Sequence, residues 1–477
     1  MNVTEHSGDI AILDSEKLSR QINLALVFDH VGRAGNGFFL SIFDQHPHIL
    51  TSNWVHYIYS YIITEFGEAD VLDSKRAYDC ITTCSYFRYV FNELCKEDAE
   101  TMRRFGADPG TPLDRNKARK AFESAVFRDE TIKRRDLILA AYAGYAIGMG
   151  RDLEQVRYIL LSDAVSLRTE HVRNGFSGKV LNCALADFPK AKFISLVRDP
   201  RAMFASNRHQ FVNGLENMYA LSPSGALRRF KELAIMDQRP DNSVWLYWLW
   251  YAAQTSKTIS RMKIEHPDHF LTVRNEDLNL RFIPTVRALC AWLGVDFYEP
   301  WADEAYVPTS AGRPWKGTGA YNSRYQTRTT GPLLNDPIEV ANKVTGPNRY
   351  VTERWRTRLA PHEIKLVDLL FAQEMRQFGY ASLSKNGSPP NKLTKLLLKP
   401  FRGELPSLRW LKDGFLTGGP EFLRRLFYAL AHPLFSAFSR VQMIRLYASG
   451  VFENPHITGE DRTLLQIQDA DQDKRAN

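Results

Sequence analysis

The sequence predicts an α/β fold: a central parallel sheet flanked by helices, with a helical insert and a C-terminal helical extension. Three observations lead there. Short apolar runs at 22–31, 158–161 and 193–197 alternate with helical stretches, the pattern of strands joined by helical crossovers. Two of these runs hand over to anion-type turns, a glycine loop and an Arg-Asp-Pro turn. The chain has 477 residues, 44% hydrophobic and 24% charged, which suits one large globular domain with additions, or two domains.

Residues 1–20 are polar and acidic and read as a mobile tail. With no apolar h-region, this stretch resembles neither a secretory signal nor an anchor. The first strand, 22–31, leads into His30-Val31-Gly32-Arg33-Ala34-Gly35-Asn36-Gly37 and then an apolar helix start, Phe38-Phe39-Leu40. From about 54 to 156 the pattern is mostly helical, interrupted by the turn-like Gly106-Ala107-Asp108-Pro109-Gly110. The strand at 158–161 precedes a loop and a helix at 179–187, and the strand at 193–197 follows. An aromatic helix at 244–261 comes next. After it stands Phe270-Leu271-Thr272-Val273 with the acidic end Arg274-Asn275-Glu276-Asp277-Leu278. Residues 312–325 are loop-like, and 361–378 read as a closing amphipathic helix ending at Gly379. The expected main domain is therefore 21–382. Residues 383–391, containing Asn386-Gly387-Ser388-Pro389-Pro390, form a linker, and 392–477 a basic, mainly helical extension.

Composition narrows the function. The five cysteines (Cys80, Cys84, Cys95, Cys183, Cys290) show no metal-ligand spacing, and their odd number argues against a disulfide framework. No metal site is expected, and a reducing, cytoplasmic setting fits. No stretch of ~18 uninterrupted apolar residues is present, so no membrane span is expected. The net charge is +8, and residues 392–446 carry ten Lys/Arg against Glu404, Asp413 and Glu421. The excess is thus concentrated in that segment, which argues against a nucleic-acid-binding body.

Two constellations carry chemistry. In the glycine loop, Gly32, Gly35 and Gly37 allow close backbone approach to a phosphate, and Arg33 supplies charge. The loop lacks the Gly-Lys-Ser/Thr ending of a Walker motif, and it is not Gly-x-Gly-x-x-Gly. An ordinary strand-to-helix turn is the alternative. At the second turn Pro200 suits the first helical position, and Ser206 lies about two turns of ~3.6 residues along the helix. Arg198 and Ser206 could converge on one anion, with a bidentate guanidinium and a neutral hydroxyl as donors. An Arg198–Asp199 salt bridge stabilising the turn is the alternative. The cluster Trp245, Tyr247, Trp248, Trp250, Tyr251 stands at helical spacing and reads as core.

These residues resemble the sulfotransferases that use 3′-phosphoadenosine 5′-phosphosulfate (PAPS), over about residues 21–382. Arg198, Asp199, Pro200, Arg201 and Ser206 match the family's 3′-phosphate motif, and Phe188-Pro189-Lys190-Ala191-Lys192-Phe193-Ile194 matches its approach. The glycine loop with His46-Pro47 downstream is similar to its phosphosulfate loop. However, Ala34, Asn36 and Gly37 stand where hydroxyl-bearing residues are common. Arg274-Asn275-Glu276-Asp277-Leu278 with Trp292-Leu293-Gly294 resembles a further element, and Trp315-Lys316-Gly317 with Asn322-Ser323 a late phosphate loop.

The resemblance implies a P-loop-NTPase-like sulfotransferase fold with PAPS as co-substrate and PAP as product. The acceptor would be a hydroxyl, of the carbohydrate or glycolipid class suggested by the Arg-type first loop. The implied donor-binding residues are Arg33, Ala34, Gly35, Asn36, Gly37, Phe38, Arg198, Ser206, Lys316 and Gly317. Arg33 would also stabilise the leaving group, by analogy with phosphoryl transfer. A base must take the acceptor's proton, and histidine titrates in the right range. His171, in Arg168-Thr169-Glu170-His171, resembles the family's Lys-Thr-x-His signature, with Arg173 or Lys179 as alternative cationic partners. His56 is the second candidate. A PAP-binding protein that has lost transfer chemistry is the rival reading. The basic segment 392–446 could lie on the anionic inner face of a membrane. The preferred alternative is a helical appendage packed on the catalytic domain or on a second subunit.

Overall fold

The computed structural model describes residues 15–30, 34–83, 86–104, 108, 110–163, 176–213, 244–315, 346–381, 390–401, 408–457 and 463–465. Five strands form a central parallel sheet: β1 (Asn23–Asp29), β2 (Ile49–His56), β5 (Tyr158–Ser162), β6 (Lys192–Val197) and β7 (Phe270–Arg274). Their order is β2-β5-β1-β6-β7. β1 is buried from Leu24 to Phe28, and β6 from Phe193 to Val197. Such unbroken apolar runs suit strands covered on both faces.

Register fixes the carboxyl edge of the sheet. β1 pairs with β5 from Asn23↔Tyr158 to Val27↔Ser162, and β2 pairs with β5 from Ile49↔Tyr158 to Thr51↔Leu160. The β2 register then shifts, and its next partner pair is His56↔Ser162. Four intervening residues of β2 face one of β5, so the strand bulges and Trp54 is driven fully inward. The expected helical insert therefore begins after β2, not at 54. The polar centre Thr51-Ser52-Asn53 and the bulge hide the period-two signal of this strand.

By its internal contacts the chain forms two compact units. One comprises Met1–Phe28, Asn36–Ile194 and Cys290–Trp315; the other Asp29–Gly35, Ser195–Leu289 and Lys316–Asn477.

In the first unit, the insert holds helices Ile58–Phe66, Ser74–Thr83, Arg115–Val126 and Arg134–Gly148. It also contains a small antiparallel ladder of β3 (Val71–Asp73) and β4 (Thr131–Lys133). The last two helices approach closely because a Cβ on Gly144 would meet the Ala118 carbonyl at 2.8 Å, and one on Gly148 the Leu113 side chain at 2.7 Å. Arg134, buried at the amino end of its helix, grips Asp187 of helix Phe176–Asp187 with two bonds of 2.8 and 2.9 Å. Removing one partner of such a pair leaves an uncompensated buried charge, a cost of about 3–5 kcal/mol. A second ladder, β8 (Thr309–Ser310) with β9 (Arg313–Pro314), completes this unit's pairings among the described residues.

The second unit holds helices Pro200–Asn213, Val244–Glu265, Asn275–Leu280, Pro361–Leu370 and Ala372–Gln377. What looked like one acidic-ended strand at 270–278 is β7 followed at once by a short helix, and the closing helix breaks at Phe371. Trp248, Trp250 and Tyr251 are buried, in keeping with the core reading; the side chains of Trp245 and Tyr247 lie outside the described residues. Helices Pro390–Leu397, Leu408–Thr417 and Gly419–Ala448 make up most of the extension.

Candidate functional site

In the second unit the site grows from the carboxyl ends of β1, β6 and β7. The His30 N–H donates to the Leu196 carbonyl at 3.0 Å, which holds the exit of β1 against that of β6. Gly35 has φ +108°, and a Cβ there would lie 2.4 Å from Asn275 Nδ2. The glycine is therefore required twice, by its backbone conformation and by the side chain pressed against it. The Ala34 N–H donates to Asp29 Oδ1 at 3.0 Å, so this amide is engaged within the loop. Asn275 also receives the Asn279 side-chain amide on its carbonyl at 2.8 Å.

The Arg-Asp-Pro-Arg turn is organised by Asp199, and its partner is Arg201. Asp199 Oδ1 accepts from the Arg201 N–H and Nε, both at 2.9 Å, and Oδ2 accepts from Nη2 at 2.7 Å. Arg201 continues to Asp368 at 3.5 Å and lies 4.3 Å from the centre of the Trp355 ring. The Arg198–Asp199 salt bridge considered from sequence is therefore not the pairing that forms. The Arg198 guanidinium is buried and donates through Nη2 to the Val351 carbonyl at 3.1 Å. Ser206 stands two turns along helix Pro200–Asn213 and is 7% exposed.

Glu276 clamps the same turn from β7's side. Its Oε1 accepts the Asp199 N–H at 3.1 Å, and its Oε2 accepts the Tyr380 hydroxyl at 2.7 Å. Burial, then the Asp199 charge, pushes the Glu276 carboxyl above its ordinary range, while Arg198 pulls it down. Arg274 lies over Tyr380 at 4.6 Å.

Behind the loop runs a buried polar chain. Ser256 gives its proton to Glu374 at 2.9 Å, so its oxygen accepts from His30 Nε2 at 3.1 Å; His30 Nδ1 is left to accept from Ser195 at 2.9 Å. Asn454, from the extension, donates to Ser256 at 3.1 Å and to Ser260 at 3.2 Å. Complete burial holds His30 neutral, well below its ordinary pKa.

In the first unit, the amino end of helix Asn36–Phe43 is tied to β5. Asn36 Nδ2 donates to Ser162 Oγ at 2.6 Å, and its Oδ1 is buried without a hydrogen-bond partner among the described residues. Asp163, one residue on, is fully buried and accepts Ser60 N–H at 3.1 Å and Ser60 O–H at 2.6 Å. Burial outweighs these two donors and lifts its pKa to about 7. Asp44 gathers the β8–β9 turn, accepting from Thr309 at 2.7 Å, Gly312 N at 2.9 Å and Ala311 N at 3.1 Å. That places Trp315 in a stack on Phe38, with centroids 5.7 Å apart, and within 3.9 Å of a Cβ at Gly37. His46 donates from Nε2 to the Asp296 carbonyl at 2.9 Å, and burial lowers its pKa to about 4, so it is a structural histidine.

Among the residues expected from sequence, Ala34, Gly35, Asn36, Gly37, Phe38, Arg198 and Ser206 stand at these strand–helix junctions. His56 ends β2 opposite Ser162. Lys179 pairs with Glu68 at 3.2 Å. Arg33, His171, Arg173, Lys316 and Gly317 lie outside the described residues. Sequence reasoning passed over Asn275 as a packing partner of Gly35, over Asp163, and over the His30–Ser256–Asn454 chain. Only the polar cluster Asn275-Glu276-Asp277 signalled any of this.

Residues 179–300 match a family described as "Sulfotransferase family". Two solved structures are similar. One is the sulfotransferase domain from the curacin biosynthetic pathway, with 11% identity, a TM-score of 0.37, and coverage of 71% of this chain and 92% of that one. The other is the sulfotransferase domain from the Synechococcus PCC 7002 olefin synthase, with 15% identity, a TM-score of 0.35, and coverage of 71% and 89%. No curated protein matches the chain.

Proposed function

We propose that this chain, whose residues 179–300 match the sulfotransferase family, is a sulfotransferase that moves a sulfuryl group from PAPS to a hydroxyl of a carbohydrate or glycolipid. The observation that carries the reading is that Arg198, Ser206 and the Arg274–Leu278 element all fall inside the matched segment. PAPS would supply the activated sulfuryl group, and the chain's own residues bind, orient and move a proton.

Arg198 is the anchor for the 3′-phosphate. Its guanidinium is always charged and meets a phosphate with paired donors. Ser206 adds a neutral donor. Gly35 keeps side-chain bulk out of the loop, Phe38 and Gly37 form the start of the following helix, and Arg33, Lys316 and Gly317 complete the donor-binding set. Arg33 also offsets charge on the departing phosphate. His171 or His56 takes the proton of the acceptor hydroxyl.

A second reading has a specific basis. The Ala34 amide is engaged by Asp29 and the Asn36 amide by Ser162, so two candidate donors of the first loop already have internal partners. That favours nucleotide binding over transfer. Calorimetric titration with PAP and labelled-sulfate transfer from PAPS into a glycan and glycolipid panel separate the two. Transfer supports the enzyme, binding alone supports the second reading, and no binding overturns both.

A further inference from the structure

Among the described residues, the C-terminal extension packs on the rest of its unit through one buried face. Leu393, Leu397 and Phe401 are buried, Phe401 meets Phe204 with ring centroids 6.1 Å apart, and Arg440 lies over Phe401 at 5.2 Å. In helix Gly419–Ala448, Ser436, Ser439, Met443 and Leu446 face inward and are buried. The other face of this helix is apolar and exposed. Leu423, Phe427, Leu430, Leu434 and Val441 recur at i, i+4, i+7, i+11 and i+18, one narrow stripe, with Leu430 72% exposed. Helix Leu408–Thr417 continues it with Leu408 (86% exposed), Phe415 and Leu416, and Phe415 meets Phe422 edge-on at 5.5 Å. Nine of the fourteen large apolar side chains exposed among the described residues fall between 398 and 441, so this is a patch and not scatter.

Cations share the stripe. Exposed Lys412 lies four residues after Leu408 and three before Phe415, and exposed Arg445 lies four after Val441. Lys392, Lys395 and Lys399 are exposed on the neighbouring helix and its exit. We propose that this face docks the protein on the surface of an anionic lipid bilayer, with the leucines and phenylalanines in the acyl boundary and the cations among the headgroups. Long lysine and arginine stems suit that boundary, because they lie along apolar material while the charge stays in water.

A second copy of this chain is the competing occupant, and charge disfavours it. The segment carries ten cations against three acids, so pairing two such faces sets like against like. An anionic bilayer supplies apolar interior and negative charge together. No helix among the described residues is long and apolar enough to cross a membrane, so the contact lies on the surface.

The test is flotation of the full chain with phosphatidylcholine vesicles, with and without about 30 mol% phosphatidylserine. Flotation with the anionic vesicles, weakened by salt of about 0.5 M, is expected. Leu430→Glu with Leu434→Glu should abolish it. Lys395→Gln, Lys399→Gln and Lys412→Gln should each lower partitioning roughly fivefold. Unchanged unfolding temperatures certify the variants, and either set suffices if the other misfolds. Failure to float, or equal binding to neutral vesicles, overturns the proposal. So does lipid-free self-association that Leu430→Glu with Leu434→Glu converts to monomer. Because flotation reads no chemistry, its failure is separate from a failure of sulfate transfer.

Discussion

Replacing Gly35 by alanine tests the donor loop where its geometry is tightest. The residue has φ +108°, where an L-residue is strained by about 1–3 kcal/mol. Its new methyl would also sit 2.4 Å from Asn275 Nδ2, roughly an ångström inside ordinary contact, and overpacking of this kind costs about 1–3 kcal/mol. Together the terms give about 2–6 kcal/mol, or a fall in unfolding temperature of about 2 °C or more. Thermal unfolding of Gly35→Ala against the wild type reads this directly, and PAP titration reads whether the loop has moved. Adding Asn275→Ala splits the sum: the contact half should return and the backbone half should not. If Gly35→Ala unfolds within about 1 °C of the wild type, the reasoning is wrong. If Asn275→Ala restores it completely, the backbone argument fails and only the contact remains.

Other consequences are equally direct. Arg198→Lys should weaken PAP by about 2–3 kcal/mol, because one ammonium cannot replace a bidentate fork, whereas Ser206→Ala should cost about 1 kcal/mol; equal losses in calorimetry would contradict the assigned roles. Asp163 has a folded pKa of about 7, above its ordinary value, so the folded state holds a proton that the unfolded state releases, and stability falls as pH rises from about 4 to about 7. Asp163→Asn, which can accept the Ser60 N–H and donate to its hydroxyl, should therefore gain on the wild type by about 1.4 kcal/mol per pH unit in that window; parallel pH profiles of the denaturation midpoint would refute it. Asn454→Ala should destabilise by about 1–3 kcal/mol by removing the donor to Ser256 and Ser260, and an unchanged unfolding temperature would show that the extension is not part of this core.

The legible parts of the fold were those with one dominant local signal. β1, β5 and β6 are buried on both faces, and their unbroken apolar runs announce them. β2 was hidden because Thr51, Ser52 and Asn53 make it look polar, although Thr51 is satisfied by donating to the Leu160 carbonyl at 2.8 Å. The extension's charge excess was visible, but not that its leucines face outward, since helical periodicity fixes a stripe and only packing says which side is covered. The spacing singled out Arg198 and Ser206, which stand just after β6 and two turns along the following helix. Asn275 beneath Gly35 and Asn454 behind His30 were not singled out, because each contact joins residues roughly 200 or more positions apart, and no local pattern records it.

The glycine loop and the Arg-Asp-Pro-Arg turn differ in how much a departure costs. In the Arg-Asp-Pro-Arg turn, Asp199 caps and chelates Arg201, Arg201 reaches Asp368, and Glu276 holds the Asp199 amide. Removing Arg201 leaves both Asp199 and Asp368 without this buried cation, a cost of about 3–5 kcal/mol. Arg201 and Asp199 are thus the frame of the turn. In the glycine loop, having Ala34 or Asn36 in place of a hydroxyl-bearing residue removes one neutral hydrogen bond, about 1 kcal/mol. The two strained constraints in that loop's described part, Gly35's conformation and its contact with Asn275, are met. A motif anchored by a charge network tolerates less change than one built from a row of single donors. The glycine loop's departures therefore weigh less against the proposed sulfuryl transfer than their number implies, because they fall on the positions that are energetically easiest to replace.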